Sequence, residues 1–149
     1  MTHADDWAAV HAILARQVPE VANGTVELRR IAREPGRRTK LAVASLSPDL
    51  DPVVACVGPK ATRVNALAAA LGGERIDILP WSDAPERFVT LALAPARVRS
   101  VELDLPRHRA VARVSPDQLD IARGQDELNA RLASELTGWT VAVVAGDAG

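Results

Sequence analysis

Apolar residues recur at helical spacing between Asp5 and Gln17, where Trp7, Val10, Ile13 and Leu14 share one face and Asp5 and Asp6 occupy the dipole-favoured first turn. Pro19 ends that segment and Asn23-Gly24 turns the chain. VELRRIARE (26–34) and TKLAVAS (39–45) then read as strands joined by Glu34-Pro35-Gly36-Arg37, a hairpin signal. Pro48 and Pro52 frame a loop, and helices are predicted at 52–57 and 61–71. Gly72 and Gly73 stop the second of these, and RIDIL (75–79) is a strand. After a polar connector, PWSDAP (80–85), the pattern starts again: a helix at 84–93, strands at 97–104 and 109–114 with a turn near Leu105-Pro106-Arg107, helices at 117–122 and 127–136, and a last strand at 139–144.

Both halves therefore read helix–strand–strand–helix–helix–strand, an α+β arrangement with the register of a tandem duplication. Asp51 stands seven residues before Gly58, and Asp117 seven before Gly124. The predicted division is an N-terminal helix over 1–17, a first domain over 18–80 and a second over 81–149. Units of roughly 60 residues have marginal cores on their own, so the two are expected to pack on each other.

Composition narrows the functional classes. The chain has 149 residues, 48% of them hydrophobic, and a formal net charge of −1, so it is no polycation that binds nucleic acid by bulk charge. Residues 18–80 carry nine Lys/Arg against seven acids (+2), and residues 81–149 carry eight against ten (−2). A single Cys56 excludes an internal disulfide or a multi-cysteine zinc site. It lies in the apolar run VVACVG and reads as a buried small hydrophobe. No apolar run approaches a membrane span, and the acidic start Met1-Thr2-His3-Ala4-Asp5-Asp6 is unlike a signal peptide, so a soluble cytoplasmic protein without membrane partners is expected. Aromatics at 3% argue against base-stacking platforms; Trp7, Trp81 and Trp139 read as packing residues, Trp81 as one that sets the angle between the units. His3, His11 and His108 lack metal-ligand spacing, and no nucleophile elbow, P-loop or paired-carboxylate site stands out, so neither an enzyme nor a cofactor is expected.

The candidate chemistry sits at the two helix–turn–helix segments. A turn such as Gly58-Pro59-Lys60 can present main-chain N–H groups, a helix start and a cation to a phosphodiester. In the second copy the turn is Gly124-Gln125-Asp126-Glu127, with an acid matching Lys60. The densest cationic feature is the first hairpin, with Arg29, Arg30, Arg33, Arg37, Arg38 and Lys40. It admits two readings: a phosphate track, or a solvated strand face with salt bridges.

VPEVANGTVELRRIAREPGRRTKLAVAS (18–45), DPVVACVGPK (51–60), ERIDILPWSDAPERFV (74–89), ALAPARV (92–98), PDQL (116–119) and NARLASELTGW (129–139) together resemble the paired KH domains of the bacterial transcription factor NusA. The resemblance implies two prokaryotic-type (type II) KH domains, each α-β-β-α-α-β with a three-stranded mixed sheet. It also implies single-stranded RNA as a ligand during transcription termination and antitermination, with RNA polymerase or other transcription or ribosome-assembly proteins as partners. The chain reads as the KH pair alone. Against the family's GxxG loops, the first is Gly58-Pro59-Lys60-Ala61, and the second has Glu127 at the final glycine, while Arg123 replaces an apolar groove residue. RNA contact is accordingly expected at Gly58, Pro59, Lys60 and Arg63 and at the hairpin residues Arg37, Arg38 and Lys40, with bases over an apolar groove in Val53–Val57. Weaker contact is expected at Gly124, Asn129 and Arg131. The alternative is a degenerate KH pair that serves as a protein-interaction module without significant RNA binding.

Overall fold

The computed structural model describes residues 3–146; the reading of Met1 and Thr2 falls outside these residues, as does anything said of the His3 side chain. The chain divides into two compact units, with the boundary between Trp81 and Ser82.

The first unit runs α1 (His3–Gln17), α2 (Pro19–Ala22), β1 (Val26–Glu34), β2 (Arg38–Ser45), α3 (Pro52–Val57), α4 (Thr62–Ala70) and β3 (Arg75–Pro80). Its sheet has the order β1-β2-β3, antiparallel between β1 and β2 and parallel between β2 and β3. Pro19 ends α1 as expected but also opens α2. A proline lacks only an N–H that a first helical residue has no partner for, and its fixed φ suits that place. Pro35-Gly36 makes the hairpin turn, with Gly36 at φ 83° and Arg37 N–H donating to the Glu34 carbonyl at 3.0 Å. Val10, Leu14, Ile31, Leu41, Val43, Cys56 and Leu67 form a core between the helices and one face of the sheet. Trp7 is not part of it: it is 36% exposed and stacks on His11 at 4.6 Å.

Because side chains alternate along a strand, the even-numbered residues of β2 face away from the core formed by Leu41 and Val43. There Arg38 and Lys40 are buried, and both reach Asp77 of β3, at 2.7 and 2.9 Å. A second carboxylate, Glu74, closes the end of the sheet. Its Oε1 accepts from Arg33 Nη2 (2.7 Å) and the Gly36 N–H (2.8 Å), and its Oε2 accepts from Thr39 Oγ1 (2.8 Å). Arg33 in turn donates to Asp6 of α1 at 2.9 Å. That link ties α1 to β1, so the helix that the sequence set apart over 1–17 belongs to the first unit.

The second unit repeats the order with α5 (Pro85–Ala92), β4 (Val98–Asp104), β5 (Arg109–Val114), α6 (Leu119–Arg123), α7 (Leu128–Thr137) and β6 (Thr140–Ala145). Its sheet is β4-β5-β6 with the same mixture of antiparallel and parallel pairing. Each hairpin carries a bulge five residues before the end of its first strand, at Arg29 and at Arg99. The place of Glu74, just before the third strand, is taken by Trp139, which is buried and stacks on His108 of the β4–β5 turn at 3.9 Å. A charged network and an aromatic stack thus lock the same corner in the two units.

Burial alone would push the Glu74 carboxyl up, but hydrogen bonds from Arg33, Gly36 and Thr39 outweigh it and hold the group below the usual carboxylate range. A depressed folded-state pKa contributes stability that is present above the unfolded value, about 4.3, and is lost as pH falls through the folded value. Urea unfolding is expected to show Glu74→Gln destabilised by about 3 kcal/mol at neutral pH, with a shallower loss of stability in acid. For the second carboxylate, Asp77→Asn is expected to cost about 3–5 kcal/mol by removing the negative charge that buried Arg38 and Lys40 share, whereas Lys40→Met, which leaves the Arg38 pair, stays within about 1 kcal/mol of the parent. Equal losses for the two would refute this apportioning.

Candidate nucleic-acid interface

The first helix–turn–helix begins at Asp51, whose Oδ1 accepts from the N–H groups of Val53 (2.9 Å) and Val54 (3.2 Å) and so caps α3. Pro52 follows at the first helical position. The helix stops at Gly58, with φ 77° and ψ 168°, a region open in practice to glycine alone. A short 3₁₀ turn over Pro59–Ala61 comes next, in which Lys60 (φ 55°, ψ 31°) and Ala61 (φ 60°, ψ 24°) are both left-handed. The Ala61 N–H donates to the Gly58 carbonyl at 3.1 Å and Thr62 Oγ1 to the Pro59 carbonyl at 2.8 Å.

The second turn has nearly the same backbone. Gly124 lies at φ 76° and ψ 172°, Asp126 at φ 56° and ψ 32°, and Glu127 at φ 63° and ψ 15°. A left-handed residue with a Cβ costs roughly 1–2 kcal/mol, so this shape persists against a local penalty, with alanine or glutamate where glycine would fit without strain. The helix–turn–helix frame carries the conformation, and the side chains on it differ.

Those side chains give the two turns opposite chemistry. Pro59 and Lys60 are exposed, and Lys60 has no ion pair among the described residues. In the second turn Gln125, Asp126 and Glu127 are exposed. Arg123 lies 4.0 Å from Glu127 and also donates to the Val143 carbonyl of β6 at 3.2 Å, so the position where the family resemblance implies an apolar residue holds a hydrogen-bonded cation. Arg131 is exposed and donates to the Asp126 carbonyl at 3.0 Å.

Two expected contact residues are tied to main-chain carbonyls, one half-buried and one fully buried. Arg63 folds back over Gly58: its Nη1 donates to the Ala55 carbonyl at 2.7 Å and lies 3.4 Å from Glu20 Oε1. Asn129 is fully buried, and its Nδ2 donates to the carbonyls of Ala122 (2.8 Å) and Leu93 (3.1 Å). Beside the first turn runs a groove lined by Leu50, Val54, Ala55, Gly58 and Pro59, with Glu20, Asp49, Asp51 and Arg63 as its polar members. Val54 is 67% exposed there, whereas Ala55 and Cys56 of the same run are buried. Burial pushes the Cys56 thiol up to about 11, which leaves it protonated and inert at neutral pH.

The cations of the first hairpin do not share one open face: Arg29 and Arg30 are exposed, whereas Arg38 and Lys40 are buried. Lys40 is fully buried against Asp77, and removal from water lowers its pKa to about 8 despite that partner. Arg38 shares Asp77, Arg33 is held by Glu74 and Asp6, and Arg37 pairs with Glu34 at 3.1 Å. Arg29 lies 4.7 Å over the Trp81 ring and 2.9 Å from Glu27. The salt-bridge reading therefore replaces the phosphate track for Arg38 and Lys40, because the carboxylates that neutralise them stand on the neighbouring strand. The sequence signal of Glu74 and Asp77 is one acid just before and one within a strand that pairs with a basic one, and it is weak without the register.

Two α-β-β-α-α-β units, each with a mixed three-stranded sheet and a Gly-initiated turn between its last two helices, define a pair of type II KH domains. The family described as the NusA-like first KH domain matches residues 5–81, and that described as the NusA-like second KH domain matches residues 85–148. The chain belongs to this NusA-like KH family. It is 48% identical over 129 residues to the transcription termination/antitermination protein NusA of Thermus thermophilus, covering 87% of this chain and 33% of that protein. For NusA of Bacillus subtilis the identity is 48% over 126 residues, covering 84% and 34%. For NusA of Mycobacterium tuberculosis it is 45% over 133 residues, covering 89% and 38%. The chain spans about a third of the length of these relatives. A crystal structure of APE1850 shares the fold at a TM-score of 0.59 and 22% identity, covering 89% of this chain and 96% of that one. No helix among the described residues is long and apolar enough to cross a membrane.

A Cβ on Gly58 would fall 2.6 Å from Arg63 Cγ, part of a flexible side chain, whereas one on Gly124 would fall 2.7 Å from the Asn129 main-chain nitrogen, which cannot step aside. Gly124→Ala is therefore expected to destabilise by more than Gly58→Ala, about 3 kcal/mol or more against about 2. Equilibrium denaturation of the two variants checks the order, and a larger loss at Gly58 would contradict it.

Proposed function

We propose that this chain binds single-stranded RNA, with its first unit as the principal contact, and that it acts in transcription termination or antitermination as the names of its relatives describe. The observation that carries the reading is the Gly58–Ala61 turn, which keeps the left-handed path at the start of α4 and presents Lys60 to solvent. N–H groups at that start hold a phosphate, Lys60 adds its charge, and exposed Val54 offers an apolar surface to a base. Arg37, Arg38 and Lys40 serve the sheet in this reading, and Gly124, Asn129 and Arg131 serve the second turn. RNA polymerase or other transcription proteins in the cytoplasm are the partners that the family suggests.

A second reading has its own support: Asp126 and Glu127 are exposed in the second turn and give it negative charge where the first turn has Lys60 and Ala61. At an exposed site each opposes an anion by on the order of 1 kcal/mol. A pair that bound RNA through neither turn would serve as a protein-interaction module.

Gel-shift titrations of short single-stranded RNAs over a salt series separate the two. Lys60→Gln is expected to weaken binding about fivefold and to reduce the slope of log K against log salt by about 0.7, one phosphate's worth. Asp126→Lys with Glu127→Gly is expected to strengthen binding by about tenfold. Parent binding no tighter than micromolar at low salt, untouched by Lys60→Gln, would favour the protein-interaction module.

A further inference from the structure

Arg63 and Asn129 occupy one register: each stands five residues after the glycine that opens its turn and is the second residue of the following helix. α3 and α6 are short helices of six and five residues, which leaves much of their hydrogen bonding at open carbonyl ends. In the first unit the Arg63 guanidinium donates to the Ala55 carbonyl, three residues before Gly58. In the second unit the Asn129 amide donates to the Ile121 carbonyl, three residues before Gly124, at 3.4 Å, and more closely to Ala122 at 2.8 Å. The same two side chains press on the two glycines: a Cβ on Gly58 would meet Arg63 Cγ at 2.6 Å, and one on Gly124 would meet Asn129 Cβ at 2.8 Å. Two chemically unlike residues therefore do the same job at matched positions.

We infer that Arg63 and Asn129 are positioning residues that hold their turns in the left-handed form by tying the carbonyl end of one helix to the start of the next. Arg63 contributes to ligand binding through Gly58 and Lys60, not as a phosphate contact of its own. Its guanidinium faces Ala55 and Glu20, and its side chain is 27% exposed. Asn129 is fully buried and cannot touch a ligand at the surface. The binding part of this inference rests on the RNA reading above; the part about turn geometry does not.

Amide hydrogen exchange on the full chain tests the geometry with no ligand present. The probes are the Gly58 N–H, bonded to the Val54 carbonyl at 3.0 Å, and the Ala61 N–H, bonded to the Gly58 carbonyl at 3.1 Å. Arg63→Ala is expected to speed exchange at both by about tenfold or more, while Arg63→Asn, which supplies the donor that the second unit uses, stays within about threefold of the parent. Should Arg63→Ala not fold, Arg63→Asn decides alone, since exchange raised tenfold in it overturns the inference. In RNA titrations Arg63→Ala is expected to lower affinity about tenfold with the salt slope unchanged, unlike Lys60→Gln. A slope lowered equally by Arg63→Asn and Lys60→Gln makes Arg63 a phosphate contact and overturns the inference. If the parent binds no RNA, the functional reading fails while the exchange result still stands for or against the positioning role.

Discussion

Each unit depends on a turn that only a glycine can begin. At Gly58 and Gly124 the chain takes a φ near 77° with ψ close to 170°, a conformation that a Cβ excludes twice over, through the backbone itself and through the side chain packed against it. That single bend aims one short helix at the start of a longer one and brings two left-handed residues between them. Where α4 points, which N–H groups are left open, and which side chain is lifted into solvent all follow from it. The helices on either side are too short to impose the bend by their own stability. Their cost is met by burial of Cys56 and Leu67 in the first unit and of Ala122, Leu132 and Leu136 in the second.

Charge in the first unit is governed by the sheet before it is available to any ligand. β2 is the central strand and β3 lies parallel to it in a fixed register, with Lys40 opposite Asp77. A cation in that place either finds a carboxylate or loses its charge, and the neighbouring strand supplies the carboxylate. The second unit solves the corresponding corner without ions, by stacking Trp139 on His108. Its arginines are consequently more peripheral: Arg97 and Arg107 have side chains 79% exposed, against 10% for Arg33. A formal count of +2 and −2 for the halves hides this inversion, because formal charge says nothing about where a pair is placed.

The order of elements was legible in the sequence because hydrophobic period, turn residues and the repeated Asp-to-Gly spacing all pointed the same way. Elements differed where local chemistry had two uses. Pro19 stops one helix and starts another, and α4 begins at Thr62 rather than at 61 because the left-handed Lys60 and Ala61 precede it in a 3₁₀ turn. The Gly58 turn and its exposed Lys60 were also legible, since glycine and a flanking proline mark such a bend. The inward roles of Arg63, Arg38 and Lys40 were not. An arginine beside a turn and a lysine in a basic strand look the same in sequence whether they face water or a carboxylate on the neighbouring strand. Only the register of β2 on β3 and the reach of a side chain back over Gly58 distinguish the cases.

The near identity of the two backbones has a bearing on how such turns drift. Neither unit keeps glycine at the fourth place, where Ala61 and Glu127 sit left-handed, so a search pattern demanding glycine at both ends would pass over both. What the two share is the opening glycine and, five residues on, a donor long enough to reach back to the preceding helix. The intervening positions are then free to change sign, as Lys60 and Asp126 have done. A fold of this kind can exchange an anion-seeking loop for an acidic one by substitution at the tip alone, with no rebuilding of the domain beneath it.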